Sequence, residues 1–142
     1  MGVYTGIAQD NVRINSGTAT LQSATVTDFT VGATGLTMPV QAVAATGSDN
    51  TDAAAITTYG VIHATAADGT KGVKLPTAAA GKVVIVKNSD AANAILKVYP
   101  GASDKINSGT ATTGALSMAA KTSAVFVAIS DVDWFTVPLL PS

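Results

Sequence analysis

Residues 59–100 read YGVIHATAADGTKGVKLPTAAAGKVVIVKNSDAANAILKVYP, and the fold turns on this stretch. It holds the clearest strand signals in the chain: Val61-Ile62, Gly72-Val73-Lys74-Leu75, Val83-Val84-Ile85-Val86 between Lys82 and Lys87, and Ile95-Leu96-Lys97-Val98-Tyr99. Short runs rich in β-branched residues, bounded by turn residues, read as strands. Pro76-Thr77-Ala78-Ala79-Ala80-Gly81 predicts one helical turn, since Pro suits its first position and Gly the left-handed residue that ends it. Asn88-Ser89-Asp90-Ala91-Ala92-Asn93 predicts a turn, because these side chains bond their own backbone. Asp68-Gly69 reads as a hairpin turn. The expectation is a small antiparallel unit.

Working outward, the same grammar continues. Leu116 and Met118 share a strand face. Ser123–Ile129 is a strand, and Ser130-Asp131 turns it. Val132–Val137 follows, with Trp134 and Thr136 on one face and Phe135 and Val137 on the other. Pro138 and Pro141 end regular pairing. Upstream, residues 25–31 alternate, with Phe29 and Val31 on one face, and Leu36, Met38 and Val40 share a face in the next piece. Residues 46–58 are loop chemistry. Residues 1–23 spread few large apolar side chains among Gly, Ser, Thr and Asn, which predicts an extended docking arm. The expected architecture is all-β, a small antiparallel β-sandwich or barrel, with the arm at 1–23 and the β-domain at 24–142.

Composition agrees with that class. All nine acids are Asp, there are 13 Gly, and no Glu occurs; Asp favours turns and caps, whereas helices draw on Glu. Aromatic residues are 5% and charged residues 12% of the 142, about half the usual charged share. A core poor in large side chains and a surface poor in charge both predict self-association. Residues 1–70 carry Arg13 against five Asp, a net −4, and residues 71–142 carry seven Lys against four Asp, a net +3. Either this asymmetry is chance or the two halves of neighbouring subunits attract. The overall charge of −1 leaves no footprint for nucleic acid. Mean hydropathy is +0.37, yet the longest uncharged run, 29–48, is broken by Gly, Pro and Gln, so no membrane span is expected.

No residue set points to a reaction, and the chain is read as a non-enzyme. With no Cys, disulfides and thiolate metal sites are excluded. His63 is the lone His, without a nucleophile-elbow motif anywhere, so it reads as an ordinary strand residue. The Asp131/Asp133 and Asp49/Asp52 pairs lie in turn-rich sequence where Asp is expected on backbone grounds. Asp49-Asn50-Thr51-Asp52 lacks the ligand ladder of a calcium hand. Asp68-Gly69-Thr70-Lys71-Gly72 lacks phosphate-loop spacing. No cofactor or metal is expected. One heptapeptide recurs: Ile14-Asn15-Ser16-Gly17-Thr18-Ala19-Thr20 and Ile106-Asn107-Ser108-Gly109-Thr110-Ala111-Thr112. Two copies so far apart make no solenoid repeat; they are either a shared turn or one element used twice. Candidate partner contacts are Val3, Tyr4 and Ile7 in the arm, and Trp134, Phe135, Leu139 and Leu140 near the C-terminus, where apolar residues at a chain end point to docking.

The order of Gly72-Val73-x-Leu75-Pro76, Ala80-Gly81, Val86-x-Asn88, Val98-x-Pro100, Ile106-Asn107 and Trp134-Phe135-x-Val137-Pro138 resembles small β proteins of tailed-phage virions: head decoration (cement) proteins and related domains of head and tail fibres. The resemblance covers residues 59–138. It implies a trimeric β-rich knob on the capsid exterior whose partner is the major capsid protein, with no catalytic residues to carry over. The alternative is a head or tail fibre module, an adhesin that binds a host surface glycan.

Overall fold

The computed structural model describes residues 37–137. The expectations for the arm at 1–23, for the strand at 25–31 and for the tail after Val137 lie outside them. Within them the chain is all-β: β1 (Val40–Ala44), β2 (Ala54–Ala55), β3 (Val61–Thr65), β4 (Gly72–Lys74), β5 (Val83–Asn88), β6 (Leu96–Tyr99), β7 (Lys105–Ile106), β8 (Leu116–Met118), β9 (Ser123–Ala128) and β10 (Asp133–Val137). The apolar runs at β3 to β6 and β8 to β10 form strands where the sequence put them.

The connectivity differs from the expectation. The strands make a six-stranded sheet in the order β1-β3-β5-β9-β10-β7 and a four-stranded sheet in the order β2-β4-β6-β8. From β1 to β6 the chain visits the two sheets alternately. A strand therefore meets its sheet neighbour only after a full coil, running in the same direction. Val40 lies opposite Val61, Val61 opposite Ile85 and Val73 opposite Val98, all in parallel pairs. The arrangement is a stack of coils, solenoid-like, and neither an antiparallel sandwich nor a barrel. The physical reason is that Asp68-Gly69 does not return the chain beside itself. It turns a corner from one sheet into the other, with Gly69 at φ 94° and the Asp68 carboxylate accepting the N–H of Thr70 and Lys71.

After β6 the winding reverses. β8 pairs antiparallel with β6 and β9 antiparallel with β5, and β10 folds back on β9. β7 closes the far edge beside β10. The Pro76–Gly81 link is not a helical turn. It is an irregular corner that ends in a turn closed by Lys82 N–H on the Ala79 carbonyl, with Gly81 left-handed at φ 82°. In β1 the core face carries Val43, and Val40, on the other face, is 71% exposed.

The core lies between the sheets. Ile62, Val84, Val86, Phe126 and Trp134 enter from the six-stranded sheet, and Val73, Leu96, Val98, Leu116 and Met118 from the four-stranded one. Burying each such side chain stabilises by roughly 1.5–3 kcal/mol relative to exposure. Few of them are aromatic, so polar stitches finish the ends. Asn88, fully buried, donates Nδ2 to the carbonyls of Ala94, Met118 and Ala119 and accepts the N–H of Asp90. The sequence marks it only as a turn residue; inside the fold it ties the β5–β6 link to the end of β8.

Candidate interaction surface

The residues that sequence chemistry singles out are used by the backbone. Asp52 accepts the N–H of Ser48 and Asp49, and Asp49 accepts that of Thr51. These bonds hold the Asp52 carboxyl below its ordinary value, with the Asp49 N–H contributing most. Asp131 accepts the N–H of Ala80, and Asp133 that of Ser108. Asp68 is also held low, chiefly by the Lys71 N–H and then by the Thr70 hydroxyl; its ion pair with Lys71 is 3.2 Å long. His63 sits exposed on β3, and its register partners are Ala42 and Lys87. Neither supplies the acid that would orient a catalytic imidazole. Among the described residues no three His, Cys, Asp or Glu side chains gather where they could hold a metal ion.

The heptapeptide at 106–112 is built into the far edge of the larger sheet. Ile106 is buried. Asn107 pairs with Thr136, donating Nδ2 to its hydroxyl at 2.9 Å and accepting its N–H at 3.0 Å. Ser108 bonds Asp133, and the Thr112 hydroxyl accepts the Ser103 N–H. Asn107, Ser108 and Thr112 all have left-handed backbones, a conformation that costs free energy in non-glycine residues and persists because these bonds hold it. The copy at 14–20 lies outside the described residues, as do Val3, Tyr4, Ile7, Leu139 and Leu140.

Of the two C-terminal aromatics, Trp134 is wholly buried between the sheets, whereas Phe135 projects to the opposite side of β10. Phe135 is one member of a larger surface. Register puts Val40, Val61, Ile85, Val125 and Val137 in one row across β1, β3, β5, β9 and β10. A second row holds Val83, Val127 and Phe135. These side chains point away from the core; the two at the ends of the first row are exposed and the other six are half-buried. Val40 and Val137 are 71% and 59% exposed, and Ile129, just past β9, is 60% exposed. No charge interrupts either row. One margin is the row Ala42, His63, Lys87 and Ser123, and the other carries Asp133 and Lys105. The outer side of the four-stranded sheet differs in kind: Lys74, Lys97 and Ser117 lie there, with Lys97 Nζ donating to Ser117 Oγ at 2.8 Å.

The sequence carried a signal for this face. Val83-Val84-Ile85-Val86 and Ala124-Val125-Phe126-Val127-Ala128 are unbroken apolar runs. A strand with one wet face alternates, and a continuous run marks a strand covered on both faces. The inner half of each run is in the core, and the outer half supplies the middle of the two rows.

No family model, no curated protein and no solved structure matches this chain.

Proposed function

We propose that this chain is a structural virion protein, a capsid decoration (cement) protein that binds the exterior of an assembled phage head and stabilises it. In this reading it is not an enzyme; it works as a homotrimer, and its other partner is the major capsid protein. The observation that carries the proposal, through the homotrimer it favours, is the pair of uncharged apolar rows on the outer side of the six-stranded sheet. A contiguous apolar face of this kind is characteristic of surfaces that pack against protein. The low charge of the whole chain and an order of motifs that resembles that of phage decoration proteins support the same reading.

The mechanism needs no chemistry. A protein that binds only the assembled lattice, at places where several coat subunits meet, stabilises that state by mass action. The gain is about 2.7 kcal/mol per site when the free protein stands at a hundred times its Kd. The test is co-sedimentation with purified empty heads, together with copy number and position in a purified particle. Saturable binding to heads and a location on the capsid exterior are the expected results. Absence from heads would overturn the proposal.

The stacked coils favour one second reading, the fibre or adhesin module. Coil stacking extends a fold along one axis, and among the described residues β1 leaves its outer edge unpaired. Under that reading the protein gives a glycan-array signal and does not sediment with heads.

A further inference from the structure

We propose that the outer face of the six-stranded sheet is where copies of this chain pack against one another. The inference deepens the proposed function by naming the surface of self-association, and it takes only its setting from that reading.

Three observations select a second copy as the occupant. The first is charge. A surface that meets itself around a symmetry axis brings each charge close to its own image. The rows Val40–Val61–Ile85–Val125–Val137 and Val83–Val127–Phe135 contain none. The outer side of the smaller sheet presents Lys74 and Lys97 and would repel its own copy. Contacts between unlike partners more often set opposite charges against each other; here the charges of the face, Lys87 on one side and Asp133 and Lys105 on the other, stand only at the margins of the rows.

The second is shape. Seven of the eight side chains in the rows are Val or Ile, on adjacent strands of one sheet. Such ridges interdigitate with a like surface in the way stacked sheets pack, about 10 Å apart. Phe135 alone stands taller, on β10 towards the β7 edge of the sheet.

The third is composition. The unbroken runs in β5 and β9 are those of strands covered on both sides. The core between the sheets covers one side. Self-packing covers the other and extends a core that has few aromatic side chains of its own.

The experiment is sedimentation velocity on the free full-length chain over a wide concentration range, without heads present. The wild type is expected to self-associate. Ile85→Lys places a charge mid-row and is expected to weaken association by more than about tenfold while the thermal melt of the subunit stays cooperative. Lys74→Glu, on the outer side of the other sheet, is expected to leave association unchanged. If Ile85→Lys does not fold, Ile85→Thr keeps a β-branched strand residue and gives the same readout more mildly. A wild type that stays monomeric at all concentrations overturns the inference. So does a folded Ile85 variant that associates like the wild type. A chain that self-associates through this face yet ignores empty heads keeps the inference and loses the decoration reading; a monomer that binds heads does the reverse.

Discussion

The carboxylate of Asp104 accepts the backbone N–H of Ala78 at 2.8 Å, and both residues are buried. The bond ties the link between β6 and β7 to the corner between β4 and β5, so it joins two successive coils. Its value lies less in the bond than in what its loss leaves behind, because an unpaired buried N–H pays its full desolvation cost.

Asp104→Ala is therefore expected to lower stability by about 1–3 kcal/mol, read as a fall in the urea midpoint with an unchanged slope. Asp104→Asn, which keeps an acceptor, is expected to cost less. Equal losses in both variants would show that the bond to Ala78 is not what the fold depends on there.

Trp134 and Phe135 are neighbours with opposite fates. Trp134→Ala is expected to destabilise by about 3–5 kcal/mol, the range for emptying a large core site. The loss is partly offset because the buried indole N–H has no acceptor among the described residues. Phe135→Ser is expected to change subunit stability little and to weaken self-association. Denaturant melts and sedimentation velocity on the two variants separate these outcomes, and a reversal of the two effects would refute the assignment of faces.

Acid stability follows from the corners. Asp68 and Asp52 are held below the ordinary value of 3.8 by backbone N–H groups. In that case the unfolded chain binds more protons than the folded one at low pH. Their contribution is complete above about pH 3.8 and is lost as pH falls through the folded values. The melting temperature is expected to hold between neutral pH and about pH 5 and to drop below about pH 4. Asp68→Asn is expected to flatten that acid limb; an unchanged limb would remove Asp68 as a cause.

Salt distinguishes two routes to self-association. The opposite charges of residues 1–70 and 71–142 predict weaker association at high ionic strength, since exposed charges are screened. Packing through the apolar sheet face predicts association that holds or strengthens, sulfate being the clearest probe. Sedimentation in low and high sulfate reads the sign directly.

The docking-arm proposal has its own test. Deleting residues 1–23 is expected to leave the melting temperature nearly unchanged and to weaken head binding strongly. A truncated chain that fails to fold, or that decorates heads at full occupancy, would each defeat the arm.

Strand positions were legible because β-branched runs and turn residues are local signals. Lys82-Val83-Val84-Ile85-Val86-Lys87 could be little else, and the alternation through Trp134 and Phe135 put them on opposite faces without saying which was inside. Strand order was not legible. Asp68-Gly69 says that the chain bends, and nothing in it says whether the next strand joins the same sheet or the one opposite. Pro76–Gly81 misled in a related way: Pro at its start and a left-handed Gly at its end also suit a corner with no helix between them. The outer face was legible in principle, in the unbroken runs of β5 and β9. Asn88 was not, because a residue that suits a turn and a buried residue that bonds three backbone carbonyls look the same in a sequence.

The parallel pairing of β1, β3 and β5 also gives the subunit unequal strength in different directions. Ladder hydrogen bonds lie across the strands. A pull along β3 loads all the bonds between it and β5 together, so they must shear as a group. A pull across the sheet at one end of β1, which among the described residues is an edge strand, opens the β1–β3 ladder one bond at a time. Forced unfolding is governed by the barrier met along the direction of load. A shell under internal pressure stretches in its own plane. A subunit lying with its strands in that plane would resist as a brace, whereas one seated with its coils stacked along the line of tension would peel.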